Sequence, residues 1–390
     1  MSIKKLKIAV IGSTGSVGKN TLEIIKENLN YFKIDLLVCN SNTKLIIEQL
    51  KLFLPKYVFI NNHQTYEFVR KIKYRKKIIF IKNFEELKKL KLSFDKAVLA
   101  APSLEGLKYS FLFIKFSKEL LIANKESIVC GGNILMSQAK KFNCKIISID
   151  SEHYCIERTI ATIDPKEIDT VYLTASGGPF LGKNKNFYNK SSIKVVTKHP
   201  KWKMGKKISV DSATMVNKLF ELVEAHILFK IPMEKIKIKI HKESLVHSAV
   251  ILKDGLVKII MHDTSMKIPI RNSLFSNKFF SQKNNYFKSN KDIILTFDEK
   301  KLTEFEILKN GYKILNYGHS AWIIFNVVND FLVNEFIKNR IFFYQIVKNL
   351  NKILLNKNII YYAKKKIRSL SDIDKCIYFA QNFIENYEVK

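Results

Sequence analysis

Arginine is scarce in this chain. Only six of its 67 basic residues are Arg (Arg70, Arg75, Arg158, Arg271, Arg340 and Arg368), although the formal net charge is +32. A charge of that size invites a nucleic-acid or membrane-surface reading. The scarcity argues against it, because Arg is the side chain that reads base edges and forks onto phosphates. Lys is instead spread along the whole chain together with abundant Asn, Ile, Phe and Tyr, the mark of a coding bias toward A and T. No nucleic-acid partner is expected; such a binder would show salt-dependent capture of random DNA. Cysteine is also sparse: Cys39, Cys130, Cys144, Cys155 and Cys376 are odd in number and form no C-x-x-C pair. This suggests neither a disulfide framework nor a zinc site, and a reducing cytoplasm fits. No apolar run approaches the ~20 residues of a membrane span, so no membrane partner is expected. The apolar core of the N-terminal stretch, Ile8 to Ile11, is too short for a signal peptide. What remains is a 390-residue chain, 47% hydrophobic, long enough for two or three domains with their own cores.

The chain is organised around Ile146-Ile147-Ser148-Ile149-Asp150-Ser151-Glu152-His153. The β-branched run predicts a buried strand, and the ends of parallel strands are where an open sheet presents its ligands. In an extended strand Asp150 and Glu152 project the same way. Two adjacent carboxylates need a cation, a shared proton or a partner charge; a solvated acidic turn is the plainer alternative.

At the N-terminus, the strand Lys7–Ile11 runs into Gly12-Ser13-Thr14-Gly15-Ser16-Val17-Gly18, with a helical pattern from Asn20 to Asn28. Strand, glycine turn and helix start together predict a phosphate-binding unit, since glycines admit a pyrophosphate and helix-end amides hold it. The next strand ends at Asn40-Ser41-Asn42, where such folds meet the adenosine ribose. Strand and helix segments alternate up to Ala101, which predicts a doubly wound α/β domain. Leu120–Ala123 then stops at Asn124-Lys125-Glu126, polar residues that a buried strand tolerates at its open end; helix capping is the alternative for Asn124 and Glu126. Gly131-Gly132 is expected to lead into the following helix.

Val171–Ala175 predicts a strand entering a Ser176-Gly177-Gly178 loop, either an anion grip or a simple turn. Lys198 to Lys207 brackets Trp202 and Met204 with Pro200 and Gly205, the make-up of a mobile lid with an apolar underside. Asn217, Lys218, Glu221 and Glu224 then recur at helical spacing and share one face. That face is either ordinary and exposed, or it supplies Ser212, Asn217 and Lys218 for a phosphate and Glu221 as a third carboxylate. Residues 236 to 261 predict further strands, with His241 and His247 flanking a loop and expected to be structural. Tyr312–Phe336, Ile341–Leu355 and Asp372–Tyr387 show helical periodicity.

Taken together, G-S-T-G-S-V-G, A-N-K-E-S, D-S-E-H, S-G-G-P-F, H-P-K-W-K-M-G-K-K-I-S-V-D-S-A-T-M and N-K-x-x-E-x-x-E-A resemble the 1-deoxy-D-xylulose 5-phosphate reductoisomerase family. The resemblance implies a Rossmann-like NADPH domain (1–150), a central α/β catalytic domain carrying dimer contacts (151–280, lid 198–207), a linker (281–305) and a C-terminal helical bundle (306–390). It implies Mg²⁺ or Mn²⁺, with Co²⁺ as a further candidate, on Asp150, Glu152 and Glu221. The substrate phosphate would be held by Ser176, Ser212, Asn217 and Lys218, with His199 beside the sugar chain. Lys125 and Ser151 would contact substrate oxygens, and Trp202 and Met204 would close over it. NADPH would meet Thr14, Gly15, Ser16, Val17, the Asn40-Ser41-Asn42 turn, Asn124, Glu126 and Gly205. The expected assembly is a cytoplasmic homodimer acting on a small sugar phosphate. An aspartate-semialdehyde-dehydrogenase-like oxidoreductase is the alternative; it needs a nucleophilic Cys and a His base.

Several positions depart from the family pattern. Ala100 and Ser103 stand for glycines, Tyr154 for Asn, Leu219 for Gly, Lys267 for Arg, and Asn40-Ser41 for Gly-Lys. None removes an expected metal or phosphate ligand.

Overall fold

The computed structural model describes residues 4–183, 188, 191–202, 204–276, 292–299 and 305–387. They form two compact units: Met1–Ser127 with Leu135–Asp150 and Met266–Phe280, and Ile128–Ile134 with Ser151–Ser265 and Ser281–Lys390.

The first unit is built on seven parallel strands, β1 (Leu6–Ile11), β2 (Phe32–Cys39), β3 (Tyr57–Ile60), β4 (Ile79–Ile81), β5 (Phe94–Leu99), β6 (Ser117–Ile122) and β7 (Lys145–Ser148). Their order is β4-β3-β2-β1-β5-β6-β7. The strands are apolar on both faces, as helices covering both sides of a parallel sheet require, and Ile8, Val10, Leu36, Val98 and Leu121 are fully buried. Strand order reverses between β1 and β5, so the loops after these two strands flank the switch point where such sheets bind ligands. This is the doubly wound α/β architecture that the alternating pattern predicted.

Residues 266–276 pack into this unit, although a division along the chain would give them to residues 151–280. Phe275 of the Lys267–Phe275 helix meets Phe32 edge-on at 4.8 Å, and Arg271 Nη2 donates to Glu27 at 2.7 Å. At the helix C-terminus, buried Lys96 donates to the Ser273 carbonyl at 2.8 Å and pairs with Glu119 at 2.5 Å. A cation is favoured at that end of a helix. Most of the expected linker, 281–305, lies outside the described residues.

The second unit holds a four-stranded sheet of β8 (Ile168–Ala175), β9 (Ile236–Ile240), β10 (Val246–Leu252) and β11 (Val257–Met261), ordered β11-β10-β8-β9. Strands β8 and β9 are parallel, and the other pairs are antiparallel. Around it stand the helices Ser151–Ile160, Lys206–Thr214, Val216–Phe229 and a C-terminal helical set. The helix expected over Tyr312–Phe336 is two, Glu306–Leu315 and His319–Ile337. Gly318 breaks it at φ 104°, a backbone region that suits glycine. Gly131-Gly132 leads into a helix, as expected, but a further helix precedes it: Lys125–Lys141 is two helices meeting at the non-helical Gly132 (φ 50°, ψ −146°), where a Cβ would lie 2.5 Å from the His319 ring.

Candidate active site

The expected site residues fall in both units, and each set is described within its own. In the first unit, Gly12 and Gly18 are fixed by packing. A Cβ on Gly12, which sits at φ +85°, would lie 2.6 Å from the Ala100 carbonyl oxygen, and one on Gly18 would lie 2.3 Å from the Gly12 oxygen. Gly15 differs: its φ is −76°, and a Cβ there would meet only the Gly12 oxygen at 3.3 Å. The fold does not demand glycine at this position, but a close-approaching phosphate does. The helix that follows, Ser16–Lys26, has no side-chain cap and no acid in its first turn, so its leading amides and dipole suit an anion. Thr14 and Val17 are half-buried and Ser16 is exposed around this turn. The cradle fits a dinucleotide.

At the end of β2, Asn40, Ser41 and Asn42 are exposed. Asn42 caps the Thr43–Phe53 helix by accepting from the Leu45 amide at 3.1 Å, leaving its Nδ2 as the donor. Asn124 caps the Lys125–Lys141 helix through Ser127 N at 2.7 Å and donates to Glu126 Oε2 at 2.7 Å. Capping, the alternative reading, therefore holds for Asn124. Gly106 makes room for Asn124, since a Cβ would lie 2.5 Å from its Oδ1. Lys125, only 5% exposed, donates to Asp150 Oδ1 at 2.7 Å.

The strand β7 ends at Ser148, and Glu152 is the second residue of the Ser151–Ile160 helix. The same-side projection expected of an extended strand therefore does not apply. A carboxylate in the first turn of a helix is instead favoured by the dipole.

In the second unit, Lys218 is the hub. Its Nζ bonds to Glu152 Oε1 and lies 2.5 Å from Glu221 Oε2. Asn217 Nδ2 donates to Glu221 Oε1, and Ser151 Oγ donates to Glu152 Oε2 at 2.5 Å. Lys218 and Glu221 are 6% and 1% exposed, which removes the ordinary exposed face as an explanation of the 217–224 spacing. Burial alone pulls the Lys218 ammonium down, but Glu152 and Glu221 outweigh it and raise its pKa above the usual lysine range. The group stays charged. Buried carboxylates require such a cation, and an all-oxygen donor set suits a hard divalent ion. The residues fit the metal that the resemblance implies.

His199 Nδ1 accepts from the amides of Lys201 (3.2 Å) and Trp202 (3.0 Å), so its Nε2 carries the proton and donates to Ser176 Oγ at 3.0 Å. The Gly178 amide also donates to Ser176 Oγ, at 3.2 Å. With its lone pairs engaged, the hydroxyl is left to donate to an anion. Burial, then the charge on Lys218, pushes His199 down to about 4, so it is neutral at pH 7. Gly177 and Gly178 sit at φ 82° and 67°, and a Cβ on Gly178 would lie 3.2 Å from the Ser212 carbonyl oxygen. The loop and the Ser212 helix thus abut. Of the expected lid, Lys203 lies outside the described residues, and Lys206 and Lys207 are already helical. Trp202 and Met204 are half-buried; the Trp202 ring lies 5.8 Å from that of His247. Gly205 is the N-cap of the Lys206–Thr214 helix.

His241 is structural as expected: fully buried, with Nε2 accepting from Leu245 and Val246 amides and Nδ1 on the Thr296 carbonyl. His247 is likewise buried and satisfied, its Nε2 on the His262 carbonyl at 3.2 Å. It lies under Trp202 and 4.0 Å from the His262 ring, and burial with the His262 neighbour pushes it down to about 3. Sequence reasoning gave no role to His262, which follows a strand without a pattern, nor to Glu224, whose carboxylate lies 3.6 Å from His153 Nδ1. The i, i+3 row through Lys218 and Glu221 was the available signal for Glu224. Cys130, Cys144 and Cys155 are buried, and burial raises the Cys144 thiol, the reverse of an activated nucleophile.

Residues 8–132 match the family model described as 1-deoxy-D-xylulose 5-phosphate reductoisomerase, residues 146–229 that of its C-terminal domain, and residues 261–380 that of the DXP reductoisomerase C-terminal domain. The chain is 36% identical to the 1-deoxy-D-xylulose 5-phosphate reductoisomerase of Pelagibacter ubique over 375 residues, covering 94% of this chain and 95% of that one. It is 37% identical to the enzyme of the same name from a Wolbachia pipientis of Culex pipiens over 371 residues, covering 94% and 93%. Among solved structures, DOX-P reductoisomerase in complex with NADPH, fosmidomycin and magnesium superposes with a TM-score of 0.87 at 29% identity and 97% coverage of both chains. The Zymomonas mobilis reductoisomerase in complex with NADPH gives 0.85 at 25% identity, covering 98% and 100%.

Proposed function

The chain belongs to the 1-deoxy-D-xylulose 5-phosphate reductoisomerase family, and we propose that its two sets of site residues carry out that family's reaction. The reaction is the metal-dependent rearrangement and NADPH-dependent reduction of 1-deoxy-D-xylulose 5-phosphate to 2-C-methyl-D-erythritol 4-phosphate, a step toward isoprenoid precursors. The observation that carries the residue assignment is the cluster of Glu152 with buried Lys218 and Glu221.

Asp150, Glu152 and Glu221 are the proposed donors for a divalent metal. When bound, Mg²⁺ or Mn²⁺ supplies Lewis acidity to the neighbouring carbonyl and hydroxyl oxygens of the substrate. NADPH, held on the Gly15 cradle with Thr14, Ser16, Val17, Asn124, Glu126 and Gly205, supplies the hydride. Ser176 donates its hydroxyl to the substrate phosphate, because His199 and Gly178 already fill its acceptor side. Lys218 spends two N–H groups on Glu152 and Glu221 and directs its third at the phosphate, beside Ser212 and Asn217. Neutral His199 contributes a fixed N–H and no second positive charge. Lys125 and Ser151 orient substrate oxygens, and Trp202 and Met204 exclude water.

The aspartate-semialdehyde-dehydrogenase-like alternative is not favoured, since the candidate thiols are buried. A cytoplasmic homodimer is part of the same proposal. Supporting it, β11 is a sheet edge that exposes Val257 (54%) and Ile259 (41%), with Leu256 (60%) just before it, an edge that asks for cover. No helix among the described residues is long and apolar enough to cross a membrane. The deciding assay is NADPH oxidation with 1-deoxy-D-xylulose 5-phosphate, with and without EDTA. Turnover that survives exhaustive chelation would refute the metal assignment; no turnover with Mg²⁺ or Mn²⁺ present would refute the function.

A further inference from the structure

Lys207 stands at the wrong end of its helix. It is the second residue of Lys206–Thr214, where the dipole disfavours a cation, and the Gly205 N-cap supplies no side-chain bond to hold the helix start. Something else must fix it. Lys207 Nζ lies 2.9 Å from Asp211 Oδ2, one turn on, and 3.0 Å from Asp330 Oδ1, with the Phe220 ring 5.2 Å away. Asp211 is 2% exposed, and its other oxygen accepts from Asn329 Nδ2 at 2.8 Å. Both of its oxygens are therefore held.

Asn329 and Asp330 belong to His319–Ile337, a helix buried along most of its length. Polar residues in so apolar a helix are unexplained by core packing. A buried ion pair adds little net stability over an apolar replacement, and its attested use is to specify one arrangement. Here the arrangement specified is the pose of the helix that carries Ser212, next in sequence to Asp211. That pose has little slack, because a Cβ on Gly178 would already lie 3.2 Å from the Ser212 carbonyl oxygen.

We propose that Lys207 is a positioning residue for the reaction: clamped between Asp211 and Asp330, it sets the helix that presents Ser212 to the Ser176 loop, and it fixes the chain where the Trp202 segment ends. The clamp rests on the reading of Ser212 as a phosphate ligand. It touches neither substrate nor cofactor.

The test uses the full chain with Lys207→Gln, Lys207→Arg and Asp330→Asn, reading substrate KM, NADPH affinity by equilibrium fluorescence, and amide exchange over 206–214 without ligands. Lys207→Gln is expected to raise KM about tenfold, the worth of a charge-assisted bond, to leave NADPH affinity within about twofold, and to speed exchange over 206–214. Asp330→Asn should move the same readouts less, and Lys207→Arg should restore them. Unchanged KM and exchange in a folded Lys207→Gln chain would overturn the proposal. So would parallel losses in NADPH affinity and in exchange across the whole chain, the signature of a merely structural residue. If Lys207→Gln does not fold, Asp330→Asn decides by the same readouts. A wild-type chain without turnover would refute the functional reading, while the exchange measurement would still decide the clamp.

Discussion

Lys218 Nζ lies 2.5 Å from Glu221 Oε2, one helical turn along the same buried face. Glu152 shares the ammonium, so one buried cation serves two carboxylates. Glu221→Gln keeps the shape and removes one charge. Turnover should fall more than about 100-fold, beyond the usual loss for a residue that merely supports a metal ligand. NADPH affinity should change little, since the proposed cradle lies at the Gly15 turn. The two are separated by steady-state kinetics and a fluorescence titration; a mutant with near-normal kcat would remove Glu221 from the metal set.

The glycine turn gives a second, two-sided prediction. Gly15 has an ordinary φ and a Cβ there would press only on the Gly12 oxygen at 3.3 Å, whereas a Cβ on Gly18 would collide with backbone at 2.3 Å. Gly15→Ala should leave thermal stability unchanged or raise it by about 0.4–1 kcal/mol while weakening NADPH binding. Gly18→Ala should cost about 1–3 kcal/mol and lower the melting temperature. If Gly15→Ala binds NADPH normally, the pyrophosphate does not approach at this residue.

Much of this was legible in the sequence, for a physical reason. A parallel sheet buried on both faces writes itself as apolar runs, and a glycine turn between strand and helix has few other uses, so the first unit could be read almost element by element. The row through Asn217, Lys218, Glu221 and Glu224 was visible from helical spacing. Its burial was not, since spacing reports which residues share a face and never what covers that face. Glu152 was placed on an extended strand because the pattern does not mark where β7 yields to a helix. The His262–His247 and Lys207–Asp330 contacts join residues distant in sequence, which no local period encodes.

Two of the departures from family glycines predict opposite repairs. Ser103 adopts φ 50°, a left-handed conformation costing a side chain roughly 1–2 kcal/mol. Ser103→Gly should therefore stabilise the chain by about 1 kcal/mol. Leu219 is different, since its Cδ1 fills the space beside Gly311, 2.4 Å from where a Cβ would stand. Gly311→Ala should destabilise by about 1–3 kcal/mol, and Leu219→Gly should relieve most of that clash. Chemical denaturation of the double mutant cycle checks both; additive losses at 219 and 311 would show that they do not share the space.

His199 sets a pH expectation whose sign follows from its neutral form. Its folded pKa is about 4 against an ordinary 6.5, so between these values the unfolded chain binds the extra proton. Stability contributed by this residue is full above pH 6.5 and is lost as the pH falls toward 4. The Ser176 contact should persist through pH 5. In an imidazole NMR titration the His199 signal should show a midpoint near 4. A midpoint near 6.5 would mean that the ring is solvated and does not hold Ser176.

The coenzyme preference turns on the exposed Asn40-Ser41-Asn42 segment after β2. Dinucleotide folds distinguish NADPH from NADH at this point, with a basic residue for the 2′-phosphate or an acid for the free hydroxyl. Here neither is present. Asn42 has committed its oxygen to the helix cap, which leaves its Nδ2, the Ser41 hydroxyl and the nearby Lys44 as donors. A 2′-phosphate at this turn would therefore meet no repulsion, and none of the ion pairing that a Lys would give it in relatives bearing one. A charge-assisted bond contributes roughly 1.5–3 kcal/mol, about tenfold or more in affinity. The margin of NADPH over NADH should accordingly be narrower than in those relatives. Ser41→Lys should tighten NADPH about tenfold and leave NADH almost unchanged, measured as paired dissociation constants at one ionic strength. Because the gain is electrostatic and exposed, it should shrink as salt rises. Equal tightening of both coenzymes, or none, would show that the 2′-phosphate is not read at this turn.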